Sequence, residues 1–215
     1  MSHFITLVFT KENGRTVEEL LAPYDENIVY APYVLYTREQ AIAKIRKEIE
    51  DYKNGFYAEY LSNPKKYEES HSNVEHINYL KNEFPKKLEW TDDECYEDIK
   101  RSFDEDMVKS NGDLLSIYNP NSKWNWYTIG GRFNNYLKTL SGKTTNEDYV
   151  SKIDWEDILP FAFVTPIGEW HERGKMGWWA CVFNEKATDN WKSEFKEFLD
   201  NLDEDTIVTV VDCHI

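Results

Sequence analysis

The chain has no apolar run long enough to cross a bilayer, which takes about 20 consecutive apolar residues. Its first residues, MSHFITLVFTKENG, lack the basic region and small-residue cleavage site of an export signal. A non-exported protein of the cytoplasm is the expectation. Cysteine is scarce: Cys95, Cys181 and Cys213 are the whole complement. An odd count without an export signal points to reduced thiols. Cys181 and Cys213 sit in apolar runs and read as small buried hydrophobes. No CxxC, HxH or HExxH spacing is present, so no metal is predicted. Walker and Rossmann glycine spacings are missing too, and no cofactor class is indicated. There is no internal repeat and no sustained heptad.

Positive charge is also short. There are 25 Lys and Arg against 40 Asp and Glu, a formal net charge of -15. The few basic pairs, Lys65-Lys66 and Lys86-Lys87, stand beside acidic residues. Such a field repels duplex nucleic acid. Two partner classes remain: a small phosphate-bearing ligand, or a protein with a basic surface.

Aromatics, by contrast, are plentiful at 15%, with eight Trp and fourteen Tyr, enough for a packed core in a chain of 215 residues. Residues 3-10, HFITLVFT, predict a strand closed by Asn13-Gly14. Thr37 with Gln40 forms a capping box ahead of a helix carrying Ala41, Ile45, Ile49 and Tyr52 on one face. A second box, Thr91 with Glu94, opens another helix. Residues 160-166 and 177-183 predict a hairpin around IGEWHERGK. ATDNWKSEFKEFLDNL predicts an amphipathic helix with Trp191, Phe195, Phe198 and Leu202 on its stripe, and 206-214 a last strand.

With residues 56-158 set aside, the order is β-α-β-β-α-β. That is an α+β, ferredoxin-like pattern. The expectation is one domain, with a core of residues 1-55 and 159-215 and a mostly helical, aromatic insertion at 56-158.

In that pattern the sheet order is 4-1-3-2. The start of strand 1, the hairpin and the end of strand 4 then meet at one edge. His3, His171, Arg173, Asp212 and His214 converge on that reading. Strand parity puts Asp212 and His214 on one face and Cys213 on the other. His171 and His214 are the acid and base candidates, with Asp212 orienting one of them. NSKWNWYTIGGRF supplies cations and aromatic faces for an anionic ligand: Lys123, Trp124, Trp126, Tyr127 and Arg132, joined by Arg173 and His3. Gly130-Gly131 permits close approach of backbone N–H groups. Asp25 and Glu26 in YDEN read as turn acids.

The blocks MSHF, LAPYDEN, NPNSKWNWYTIGGRF, GEWHERGKMGWW and the terminal VVDCHI together resemble an uncharacterised family carried by bacteriophages, prophages and some bacteria. The resemblance spans nearly the whole chain except residues 56-115. It implies a phage accessory protein and supplies no mechanism. A looser similarity links SKWNW to the GTKWD-type motif of phage and plasmid proteins with a ferredoxin-like domain. The functional expectation is binding, with possible hydrolysis, of a small phosphate-bearing or nucleotide-like ligand at the sheet edge. Its rival is an acidic, non-enzymatic inhibitor of a host defence protein.

Overall fold

The computed structural model describes residues 2-177 and 181-215. It is a mixed α+β structure. In chain order the strands are β1 (His3–Thr10), β2 (Val29–Tyr36), β3 (Leu114–Tyr118), β4 (Trp126–Ile129), β5 (Leu137–Lys138), β6 (Thr144–Thr145), β7 (Glu147–Tyr149), β8 (Ala162–Val164), β9 (Trp170–Glu172), β10 (Lys175–Met176), β11 (Val182–Phe183) and β12 (Ile207–His214). The helices are α1 (Val17–Leu21), α2 (Arg38–Tyr52), α3 (Ala58–Ser62), α4 (Pro64–Ser70), α5 (Val74–Asn78), α6 (Phe84–Lys87), α7 (Asp92–Lys100) and α8 (Thr188–Asp200).

The chain divides into two compact units, residues 1-29 with 118-215, and residues 30-117. The expected boundaries at 55/56 and 158/159 therefore move. The helix opened by Thr37 belongs to the helical unit, and residues 118-158 belong to the unit that holds the main sheet.

The helical unit is built on two capping boxes. Thr37 and Thr91 each accept from the backbone N–H of the third helical residue, and Gln40 and Glu94 reach back to the cap N–H. The helices they open, α2 and α7, bury Ala41 and Ile45 with Cys95, Tyr96, Ile99 and Leu114. The apolar face that predicted a sheet-covering helix finds another helix instead.

The main sheet runs β4-β12-β1-β8-β9, with β7 also pairing β12. β1 pairs antiparallel with β12 along its whole length, from His3 opposite His214 to Thr10 opposite Ile207. That pairing is the expected one. The other neighbour of β1 is β8, in parallel, with Leu7 level with Phe163. β9 then pairs antiparallel with β8.

This order differs from 4-1-3-2. The hairpin partner of 162-164 is 170-172, which the sequence reading placed in the turn. Residues 178-180 of the expected strand 177-183 lie outside the described residues, and its flanks belong to a separate hairpin, β10 with β11. The physical reason is length: Gly168, at φ 90, turns the chain as early as Thr165–Glu169.

Both faces of the sheet are covered, as the apolar residues on both sides of β12 require. One face carries Ile5, Leu7, Phe9, Phe163, Val208 and Val210 beneath Trp191 and Phe195 of α8. The opposite face carries Phe4, Val8, Val164, Val211 and Cys213 beneath Leu20 and Leu21 of α1 and beneath Trp124. α1 has its own capping box, Thr16 with Glu19, a signal present in TVEE.

Candidate functional site

α8 covers only part of its face. Beyond it, at the start of β1 and the end of β12, the face carries His3, Asp212 and His214 in place of aliphatics. Parity gives this directly. His3 and Ile5 share a side of β1, and His214 and Asp212 lie opposite them. On the outer neighbour β4, Trp126 stands opposite His214 and Thr128 opposite Asp212.

Nδ1 of His3 is 2.9 Å from Oδ1 of Asp212. Nδ1 of His214 is 2.7 Å from Oδ1 of Asn125. An amide oxygen only accepts, so Nδ1 of His214 donates and Nε2 keeps a lone pair. That Nε2 is buried and has no hydrogen-bond partner. The two imidazoles meet edge to face with centroids 4.9 Å apart. The indole of Trp126 stacks on His214 at 4.7 Å and is itself 43% exposed.

Asp212 is 2% exposed and His214 3%. The carboxylate is satisfied on both sides, because its second oxygen accepts from the backbone N–H of Arg132 at 2.8 Å. The glycine pair makes this possible. Gly131 has φ 52, and a Cβ there would lie 2.5 Å from the Asp212 side chain. The close approach expected between these backbone N–H groups and a ligand is therefore made to Asp212. The Arg132 side chain is exposed and makes no ion pair among the described residues.

Burial lowers the pKa of His214 below its ordinary value of 6.5, and the neighbouring His3 and Arg132 add to this against the pull of Asp212. His214 is therefore neutral at neutral pH. Cys213, on the other face, is pushed up to about 12 by burial.

The remaining predicted residues lie elsewhere. His171 sits on β9 opposite Phe163, three strands from β12. At roughly 4.8 Å per strand that is about 14 Å from the His214 strand across the sheet. Its ring stacks on Phe163 at 4.6 Å, and its Nδ1 is 3.1 Å from Glu194 of α8. Arg173 pairs with Glu185 at 2.8 Å. The convergence of His171 and Arg173 with His214 fails for one reason. β8 and β9 lie on the far side of β1 from β12, so although β9 brings Arg173 back to the level of Phe161, two strands stand between it and β12.

Trp124 is buried on the other face and donates from Nε1 to the carbonyl of Leu21 at 3.2 Å. Tyr127 packs edge-on against it at 5.0 Å. Lys123 pairs with Glu172 at 2.6 Å. These three hold the structure together and do not face the histidines. Asp25 closes an Asx turn with Asn27, as a turn acid should.

Asn125, the anchor of His214, was not among the predicted residues. Its only signal was a polar residue between two tryptophans. Among the described residues no three His, Cys, Asp or Glu side chains are arranged to hold a metal ion, and no helix is long and apolar enough to cross a membrane. No family model, curated protein or solved structure matches the chain.

Proposed function

We propose that His3, His214, Asp212, Asn125, Trp126 and Arg132 form a site for a small phosphate-bearing, nucleotide-like ligand, with twin-histidine acid-base chemistry on a phosphoester. The observation that carries this reading is the matched anchoring of the two rings. Each imidazole is fixed at Nδ1 by an oxygen, and Nε2 of His214 is buried without a hydrogen-bond partner among the described residues. A structural histidine would be expected to use both nitrogens when buried.

The roles follow from the chemistry. Arg132, unpaired and exposed, holds the phosphate. Trp126 supplies a stacking surface for a base, and rotation of its indole uncovers His214. Nε2 of neutral His214 takes a proton from water as the water oxygen attacks phosphorus. Nε2 of protonated His3 gives a proton to the leaving oxygen as the P–O bond breaks. Asp212 holds Nδ1 of His3 at 2.9 Å and so fixes the orientation of the ring. Solvent exchange resets both rings. The setting of a phage accessory protein, which the resemblance suggests, suits such a small-molecule activity.

The experiment is a thermal-shift screen with nucleoside mono- and diphosphates and cyclic and linear dinucleotides, followed by phosphorus NMR of any hit. The reading expects a rise in Tm that His3→Gln and Arg132→Ala abolish. If no nucleotide shifts Tm in the wild type, the reading fails. An acidic inhibitor of a basic host protein would then be favoured, with the net charge of -15 as its support.

A further inference from the structure

A cavity of about 700 Å³ opens at the other end of the same sheet face. Small-molecule sites run from about 300 to 1,000 Å³. Its floor is apolar: Val150, Trp155, Ile158, Phe195, Leu199 and Leu202. Trp155 is held in place. Its Nε1 donates to the carbonyl of Val150 at 3.1 Å, and its ring lies edge-on to Phe195 at 5.9 Å. The polar edge of the indole is thus satisfied internally. β1 separates this cavity from the histidines by its run from His3 to Phe9, about 20 Å.

The rim decides the ligand. It holds four carboxylates, Glu156, Asp157, Asp200 and Glu204, and two ammonium groups, Lys192 and Lys196. Lys196 pairs with Asp200 at 2.6 Å. Among the described residues, Glu156, Asp157 and Glu204 have no ion-pair partner and neither does Lys192, so an excess of negative charge surrounds an aromatic floor. That combination attracts a cation, and an aromatic face adds to the attraction. An anionic amphiphile would meet net repulsion, since the unpaired Lys192 offsets only one of these carboxylates.

We propose that this cavity binds a small organic cation: an aromatic or aliphatic body carrying one ammonium group. The cavity is separate from the histidine site, and either can fail alone.

Three probes with one ring and different charge test this: tryptamine, indole and indole-3-acetate, titrated calorimetrically into the full chain at pH 7. Tryptamine binds tightest, about tenfold tighter than indole, and indole-3-acetate is weakest. The double variant Glu156→Lys/Asp157→Lys changes two exposed residues, leaves the melting temperature close to wild type, and inverts the order. Leu202→Trp, which fills the floor, removes binding of all three. The proposal is overturned if none of the probes binds at millimolar concentration. Equal binding of the cation and the anion overturns it too, as does an order that survives charge reversal.

Discussion

Nδ1 of His3 lies 2.9 Å from Oδ1 of Asp212, and the two residues are 209 positions apart in the chain. The contact joins the first strand to the last at the point where α8 no longer covers the sheet. Ladder hydrogen bonds already fix β1 against β12. The side-chain contact is not needed for register. What it adds is a carboxylate whose two oxygens are committed, one to an imidazole and one to the Gly131–Arg132 turn.

Asp212→Asn tests that commitment. An amide keeps the shape but presents an NH₂ group to one of two N–H donors, leaving a buried donor unsatisfied. The cost is about 1–3 kcal/mol of stability. Chemical denaturation should show it as a lower midpoint with an unchanged slope. Any nucleotide-dependent rise in Tm should disappear in the same variant. A wild-type denaturation curve would mean the carboxylate is not held as described.

His171→Ala separates the two histidine environments. The ring stacks on Phe163 and faces Glu194, so removing it costs about 1 kcal/mol, the scale of one aromatic pair. Burial pushes Glu194 up, but the bonds from Lys186 and His171 outweigh this and hold it below its ordinary value. Nucleotide response should be unchanged, since His171 lies across the sheet from His214. A variant of normal stability that has lost the ligand response would restore His171 to the site.

The legible part of this protein was local. Both capping boxes that the sequence announced, at Thr37 and Thr91, form as read. Parity on β12 put Asp212 and His214 together and sent Cys213 to the other face. The β1–β12 pairing also followed from the pattern. What the sequence did not carry was strand direction. β8 has three residues, Ala162–Val164, and nothing in three apolar residues says whether they run with or against β1.

The place of β8 and β9 on the far side of β1 from β12 moved His171 and Arg173 away from the edge where they were expected. The tryptophans illustrate a second limit. Trp124 and Trp126 are two apart and looked like a pair, yet one is buried and the other is 43% exposed. A bridge of Trp124 to Asp25 precedes the ladder of Trp126 with His214, and sequence spacing holds no trace of that handover.

Thiol chemistry gives a simple count. Cys95 and Cys213 are buried, and burial raises both thiols, Cys213 to about 12. Cys181 is exposed. Since the thiolate is the reactive form, one equivalent should react with a disulfide reagent in the native protein and three after denaturation. Fast labelling of a second native thiol would show that one of the two cores opens readily.

The pH dependence of stability tests the environment of His214. Its folded pKa lies below the ordinary 6.5, because burial disfavours the charged ring. The native state therefore holds this proton less tightly than the unfolded chain. The sign follows from linkage: stability from this group is complete above about pH 6.5 and is lost as pH falls through the folded value. Melting temperatures measured from pH 8 to pH 5 should decline in that window. The comparison is with His214→Gln, which removes this one group. The variant starts from a lower Tm, having lost the stack on Trp126 and the bond to Asn125. Its curve against pH should be flatter than the wild type, and the two should converge toward the acid end. Parallel curves would mean that the ring is not desolvated, and with it the neutral base at this sheet edge would be lost.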